Sequence, residues 1–156
     1  MTSRKAKVDS LFKQGYNCSQ AVFAAYSDLF GVDEETALKI SSSFGGGFGR
    51  MREICGAVSG MCMVAGLATG STDSGDKAAK QHNYEVVQQM VNEFKQTAGS
   101  IVCRELLGLD ENADTSNTKP DERNKEFYEK RPCSQLVLDA ADIIDRVLLN
   151  PEEGEK

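Results

Sequence analysis

The stretch that decides the fold runs from Arg52 to Ala68 and reads "REICGAVSGMCMVAGLA". After Glu53 it carries no charged residue, and nearly every position is small or apolar. A helix that is apolar all round is buried in the protein interior, because no face of it suits water. The sequence therefore predicts a buried central helix over residues 52–68, with the other helices packed around it.

Helical periodicity continues on both sides of this segment. Apolar residues in the flanking segments recur three and four positions apart, which is the period of one helix face. No segment alternates at the two-residue period of a strand for more than a few residues. The expected fold is an all-α, single-domain helical bundle over residues 1–156. The predicted helices cover residues 3–14, 18–30, 33–43, 52–68, 75–97, 100–107, 121–130 and 133–149.

Length and charge limit the functional classes. A chain of 156 residues can build one domain with its own core. The net charge of −6 argues against a nucleic-acid partner, because neutralising phosphates requires clustered Lys and Arg. Residues 1–15 lack the apolar region of a signal peptide, and no apolar stretch approaches the roughly 20 residues that span a bilayer. We therefore expect a cytoplasmic protein without a transmembrane segment.

The five cysteines are the unusual chemistry of this chain. Permanent disulfides are rare in a reducing compartment, and an odd number leaves one cysteine over in any full pairing. Redox chemistry or metal binding is the expected use. No Cys-x-x-Cys pair occurs, so the thioredoxin motif and the zinc-ribbon spacing are absent. His82, the single histidine, has no paired ligand nearby in the sequence and is expected to have a surface or packing role.

The triplet Cys-Ser-Gln occurs twice, at Cys18 and at Cys133, and each copy opens an apolar-periodic run. Asn17 and Gln20 have the spacing of a capping box, which places Cys18 at the first position of its helix. Pro132 suits the first helical turn, so Cys133 also lies in a first turn. Two cysteines far apart in the chain are thus expected at equivalent helical positions.

Two further cysteines are expected at helix N-termini. Cys55 falls in the first turn of the helix predicted over residues 52–68, and Ser100 as an N-cap would place Cys103 at the third helical position. Free N–H groups and the positive end of the helix dipole stabilise a thiolate there, and the pKa of a cysteine can drop from about 8.5 to roughly 3.5–7.5. The sequence therefore predicts four activated thiols.

Arginines lie near these cysteines in the sequence. Arg50 and Arg52 precede Cys55, while Arg104 follows Cys103 and Arg131 precedes Cys133 in the chain. Positive charge favours the thiolate. With two arginines and a helix terminus, Cys55 is the predicted attacking thiolate.

The remaining features have simpler interpretations. Cys62 lies seven residues after Cys55, about 10.5 Å along a helix axis, which is too far for a disulfide with it. We interpret Cys62 as a core-filling residue. The loop "FGGGFGR", residues 44–50, lacks the Gly-Lys-Ser/Thr ending of a phosphate loop. Its glycines instead allow backbone to come near Cys55, and residues 110–124 are predicted to be a polar surface loop.

These motifs resemble one known family. "GYNCSQAV", "GGGFGRMREICGAVSG", a single later cysteine and "RPCSQLV" together resemble the redox-active family with the four-cysteine signature C_GCAxxG_C_C. Its Cys-Gly-Ala-x-x-Gly motif corresponds to residues 55–60, and the other signature cysteines correspond to Cys18, Cys103 and Cys133, while Cys62 has no counterpart. The resemblance implies a small redox-active protein, in a family often associated with transporter genes, and specifies no defined reaction.

Three functions remain as alternatives. The leading one is a thiol–disulfide oxidoreductase that exchanges electrons with a redox partner protein or a small thiol and needs no cofactor. The second is a metal-binding module in which Cys18, Cys55, Cys103 and Cys133 hold an iron–sulfur cluster or zinc, since four thiolates match both ligand counts. The third is a non-enzymatic helical interaction protein whose cysteines only pack. The small-residue central helix also leaves a homodimer open.

Overall fold

A computed structural model of the chain describes residues 2–151, so Met1 and residues 152–156 of the predicted domain lie outside the described residues. Within the described part there are eight α-helices and no strand, which confirms the all-α single domain. The helices are α1 (Lys5–Lys13), α2 (Cys18–Tyr26), α3 (Glu34–Ser41), α4 (Gly56–Thr69), α5 (Lys77–Ala98), α6 (Cys103–Leu106), α7 (Lys125–Lys130) and α8 (Cys133–Ile144).

Several predicted helices are shorter than the periodicity indicates. The helix predicted over residues 52–68 begins only at Gly56, because Ile54 pairs as an isolated antiparallel bridge with Val102. The same bridge delays the helix predicted over residues 100–107, which begins at Cys103. Ser100 is therefore not the N-cap. Its hydroxyl donates to the Glu105 carboxylate and accepts the Val102 N–H at 3.0 Å.

Other ends change their helical form. A 3₁₀ turn, Ser27–Phe30, continues α2, and a π-helical turn, Asp145–Leu149, continues α8. The helix predicted over residues 121–130 begins at Lys125, where the side chain of Asn124 accepts the Phe127 N–H at 2.9 Å. The capping box of Asn17 and Gln20 forms as predicted.

The core is built on the contact between α2 and α4, the most extensive helix pair of the fold. Seven residues of α2 are buried, and α4 buries one face that includes Ala57, Met61 and Val64. Gly66 and Ala68 lie exposed on the other side of α4. The burial predicted for the 52–68 segment is thus shared by two helices, with α1 and α3 against α2 and with α5 and α8 against α4.

Two glycines of α4 set how closely these helices approach. A Cβ atom at Gly60 would lie 2.9 Å from the Ser19 carbonyl oxygen, and one at Gly56 would lie 3.1 Å from the Cys18 Cβ. The distance at Gly60 is shorter than a Cβ atom tolerates, and the one at Gly56 would require α2 to shift slightly, so glycine lets the two helices approach this closely. The glycines of the Cys-Gly-Ala-x-x-Gly motif therefore bring the start of α2, with Cys18, against the start of α4.

Among residues 2–151, no helix is both long enough and apolar enough to cross a membrane.

Candidate functional site: a cavity lined by four cysteines

The glycine-rich loop before α4 forms a left-handed turn. Five consecutive residues, 46–50, have positive φ values, and Arg52 follows with φ 62°. Three of these six positions are not glycine: Phe48, Arg50 and Arg52. Left-handed backbone is costly for side chains with a Cβ, and it concentrates at functional sites, where surrounding contacts hold it in place. Arg50 and Arg52, both in this turn, contact the carboxylate of Asp121.

The loop uses its own N–H groups internally. Each N–H from residue 48 to residue 53 donates to a carbonyl within residues 43–48, including Arg52 to Gly46 at 3.0 Å and Glu53 to Gly47 at 3.0 Å. These donors are not available to a bound anion, which agrees with the absence of a phosphate-loop ending. The loop also contacts the site directly, because a Cβ at Gly47 would lie 2.8 Å from the Cys103 Cβ.

A short backbone ladder joins the segments of two cysteines. The Cys55 N–H donates to the Ile101 carbonyl at 2.8 Å, and the Cys103 N–H donates to the Glu53 carbonyl at 2.6 Å. Side chains alternate across such a ladder, so Cys55 and Cys103 lie on the side opposite to Ile54 and Val102. The Ile54–Val102 bridge, which shortens both predicted helices, therefore directs the side chains of Cys55 and Cys103 to the same side.

All four signature cysteines line one cavity of about 640 Å³. Cys18, Cys103 and Cys133 are the first residues of α2, α6 and α8, and Cys55 is the N-cap of α4. The predicted placement of four cysteines at helix N-termini is confirmed, although Cys103 is at the first helical position rather than the third. All five cysteines of the chain are free thiols.

Residues 110–124, predicted as a polar surface loop, have no helix and are largely exposed, as predicted, and they also line part of this cavity. Asp121 lies in the cavity wall, and its carboxylate accepts hydrogen bonds from Arg50 at 3.0 and 3.1 Å. Arg131 and Arg52 approach the same carboxylate at 3.1 and 3.5 Å. Although burial opposes ionisation, these arginines hold the pKa of Asp121 below its usual value. One carboxylate thus organises three arginines around the cysteines.

Arg123, from the same loop, lies under the cavity among aromatic rings. Its guanidinium carbon is 4.5 Å from the Phe127 ring centre and 4.6 Å from that of Phe12. It donates to the carbonyls of Phe12 at 3.2 Å and Tyr16 at 2.9 Å. Cation–π contacts and hydrogen bonds of this kind fix the position of the charge. Arg123 has no carboxylate partner among residues 2–151.

Cys18 and Cys133 form a coupled pair. A hydrogen bond between the two side chains is the largest influence on both: it raises the pKa of Cys18 well above its ordinary value and lowers the pKa of Cys133 to about 7. The charges of Arg131, Arg123 and Arg52 lower the pKa of Cys133 further, against the effect of burial. Of the two thiols, Cys133 therefore ionises more readily.

The expected low pKa of Cys55 is wrong. Burial raises its pKa to about 12, and the N–H groups of Ala57 and Val58 at the helix start offset only part of this effect. Cys55 is only 5% exposed, so the desolvation of a thiolate outweighs the helix terminus. The Arg52 guanidinium, expected beside Cys55, lies 3.8 Å from the Cys103 sulfur instead.

The other two thiols are neutral at physiological pH. Burial raises the pKa of Cys103, against the opposing hydrogen bond from Arg52. Burial also raises the pKa of Cys62 to about 11, and Cys62 packs against the core away from the cavity lining. Its interpretation as a packing residue agrees with this position.

The metal alternative finds no prepared ligand set. Among residues 2–151, no three Cys, His, Asp or Glu side chains are grouped so that they could hold a metal ion. Zinc or a cluster would need the cysteines of this cavity brought together around the metal. Thiol–disulfide exchange between these cysteines needs no metal.

Sequence reasoning missed Asp121 and Arg123, both in the loop interpreted as surface. The charged residues of "PDERN" follow one another directly and show no periodicity that would indicate burial. A hint lay in the aromatic pair that follows, Phe127 and Tyr128, whose faces suit a stacked guanidinium.

The chain belongs to the family described as "Putative redox-active protein (C_GCAxxG_C_C)", whose model matches residues 16–147. The match includes all four cysteines of the cavity and confirms the resemblance noted from the motifs. The family description supports a redox role in general terms. Neither the curated proteins nor the solved structures contain a match to the chain.

Proposed function

We propose that this protein is a thiol–disulfide oxidoreductase in which Cys133 is the attacking thiolate and Cys18 is the resolving thiol. The observation that carries the proposal is the Cys18–Cys133 pair in the wall of the cavity, where the pKa of Cys133 is lowered and that of Cys18 is raised. It revises the sequence-based choice of Cys55 and keeps all four signature cysteines in the site. A cytoplasmic location fits, since a reducing compartment would return the pair to its thiol form.

The exchange reaction needs only Cys133, Cys18 and the substrate disulfide. The Cys133 sulfur attacks one sulfur of a substrate disulfide, and the substrate S–S bond breaks to release one thiolate. Cys18 gives up its proton to solvent or to that leaving thiolate and attacks the Cys133 sulfur. The Cys133–substrate bond then breaks and releases the second thiolate. Two electrons pass to the substrate, and the protein retains a Cys18–Cys133 disulfide, which a thiol reductant returns to two thiols.

Cys55 and Cys103 have a supporting role in this scheme. Both remain neutral because burial raises the pKa of each thiol. Neutral thiols next to a thiolate add no charge repulsion, which four thiolates in one cavity would produce.

The first experiment traps the intermediate. In Cys18→Ala, the resolving thiol is missing, so a small disulfide should leave a stable mixed disulfide on Cys133, seen by peptide mass spectrometry without reductant. The wild-type protein should instead give a Cys18–Cys133 disulfide. Cys62→Ala is the matched control, because Cys62 lies outside the cavity lining, and it should behave as the wild type does.

Three results would contradict the proposal. Mixed disulfide found on Cys55 in Cys18→Ala would place the attack elsewhere. Wild-type protein that never forms a Cys18–Cys133 disulfide would remove the resolving role. Stoichiometric iron or zinc bound to these cysteines after anaerobic purification would favour the metal module instead.

A further inference from the structure

The charge of the cavity differs from that of the whole protein. The chain has a net charge of −6, yet the charged side chains that line the cavity are four arginines and a single aspartate. These residues are Arg50, Arg52, Arg123, Arg131 and Asp121. A cavity of this kind concentrates positive potential, because low-dielectric walls strengthen the field of the enclosed charges.

Only part of this charge is neutralised internally. Asp121 serves three of the arginines at once, and Arg52 among them is only 8% exposed. Arg123 has only carbonyl and ring partners among the described residues. With the Cys133 thiolate counted beside Asp121, four guanidinium groups still face only two negative charges. Burying cations is costly without a counter-charge, so this surplus is an arrangement that an anion would complete.

Size and access favour a small molecule over a protein. The cavity of about 640 Å³ lies within the range of small-molecule sites. A monatomic or tetrahedral anion would fill only a small part of it. Apolar side chains such as Phe12, Leu107 and Leu136 complete the lining, which suits a carbon chain between charged ends. The attacking Cys133 is itself only partly exposed in the cavity wall, which favours a substrate small enough to enter.

We propose that the substrate of this site is a low-molecular-weight disulfide with carboxylate groups, held by Arg123 and the arginines around Asp121. The inference rests on the proposed function and adds the substrate class. Guanidinium groups bind carboxylates through paired N–H donors, so they would fix the ends of the substrate while its S–S bond faces Cys133. Bonds form and break as in the proposed thiol–disulfide exchange, and the substrate leaves as two carboxylate-bearing thiols.

The test compares three disulfides of similar length that differ only in their charged ends. The probes are 3,3′-dithiodipropionate with two carboxylates, neutral bis(2-hydroxyethyl) disulfide, and cystamine with two ammonium groups. Oxidation of the reduced, metal-stripped full chain is quenched by alkylation and quantified by mass spectrometry. Each rate is divided by that of N-acetylcysteine amide, because the leaving thiols differ in their intrinsic reactivity.

The carboxylate probe should react at least about tenfold faster than the neutral probe at low salt, with a rate that saturates, and cystamine should be slowest. The preference should shrink as salt is added. Suberate, which replaces the S–S bond by two methylenes, should bind the reduced protein in a calorimetric titration and slow the reaction of 3,3′-dithiodipropionate. This binding measurement does not depend on the redox step.

Arg123→Gln should lose most of the suberate binding and most of the carboxylate preference, measured as the ratio of the carboxylate rate to the neutral rate. Any change in the reactivity of Cys133 alters both rates together and leaves this ratio unaffected. Arg146→Gln is the matched control, because Arg146 pairs with Glu93 outside the cavity lining. Circular dichroism checks that both variants fold. If Arg123→Gln does not fold, the comparison of the three probes with the wild-type protein still tests the proposal.

The outcomes separate the two proposals. If no probe oxidises Cys18 and Cys133, the proposed function fails. If all three react at equal normalised rates and suberate does not bind, thiol–disulfide exchange stands and the anionic substrate is wrong. A carboxylate preference that survives intact in folded Arg123→Gln would overturn the assignment of Arg123.

Discussion

Cys18 and Cys133 have the same local position and opposite chemistry. Each is the first residue of its helix and is followed by Ser-Gln, so helix dipole and free N–H groups treat both alike. The interaction between the two thiols breaks this equivalence, because an ionised thiol disfavours the ionisation of its neighbour. Arg131 and Arg123 act on Cys133, which therefore holds the thiolate.

At this scale we predict a large difference in reactivity among the cysteines. With a pKa of about 7, half of the Cys133 side chains are thiolates at pH 7, against about one in a hundred thousand for Cys55 with its pKa of about 12. Alkylation of Cys133 by iodoacetamide should rise with pH and level off above about pH 8. Timed labelling of reduced protein from pH 5.5 to 9, followed by peptide mass spectrometry, measures this.

Cys62 is the internal control for this titration. Its pKa of about 11 should keep its labelling slow across the whole range. A labelling midpoint for Cys133 near 9, or Cys55 labelled before Cys133 in folded protein, would show that the pair is not ionised as described.

The contact of α2 with α4 belongs to the scale of elements. Glycine in a helix normally costs about 0.5–1 kcal/mol relative to alanine. Gly56 and Gly60 reverse this preference, because a Cβ atom at either site would meet α2 at 3.1 Å or less. Gly66 of the same helix has open space around its Cβ position. One helix therefore offers both cases for comparison.

We predict opposite effects of the same substitution within α4. Gly60→Ala should lower the free energy of unfolding by about 1–3 kcal/mol, since α2 must move away. Gly66→Ala should raise it by about 0.5–1 kcal/mol through the usual helix propensity. Urea denaturation followed by circular dichroism measures both.

A destabilising Gly66→Ala would mean that the outer side of α4 is covered in solution. If Gly60→Ala leaves the free energy of unfolding unchanged, α2 and α4 are further apart than in the structure. The glycines of the Cys-Gly-Ala-x-x-Gly motif would then not set the distance between these helices.

On the scale of the whole molecule, Asp121 connects distant parts of the chain. Its partners Arg50 and Arg52 come from the left-handed loop, and Arg131 comes from the segment before α8. Residues 110–124 have no helix of their own and are largely exposed apart from these contacts. The closure of the cavity by this segment therefore depends on one carboxylate.

We predict that Asp121→Asn opens the segment without unfolding the core. Removing the charge leaves three arginines close together without their counter-ion. Amide hydrogen exchange in residues 110–124 should become at least about tenfold faster, while α2 and α4 keep their protection, as expected for local opening. Glu111→Gln is the matched control, since this exposed residue of the same segment has no ion pair among residues 2–151.

Unchanged exchange in Asp121→Asn would mean that the loop is held by the stacking of Arg123 rather than by the ion pairs. Loss of protection throughout α2 and α4 would show instead that Asp121 supports the whole core.

The helices, the N-terminal position of the cysteines and the family were determined by the sequence by itself. Local rules suffice for them: periodicity indicates helical faces, and the capping box at Asn17 acts over three residues. The exceptions are instructive. Residues 52–55 and 100–102 looked helical, but a bridge between Ile54 and Val102, which are distant in sequence, overrode local propensity.

The order of the cysteine pKa values was decided only by the tertiary structure. Helix position favours a thiolate at Cys55 as much as at Cys133, but burial raises the pKa of the first, and contacts with Cys18 and the arginines lower that of the second. The role of residues 110–124 likewise depends on where Asp121 lies relative to Arg50 and Arg131. Desolvation and charge interactions act through space, and the distances that set their size exist only in the folded chain.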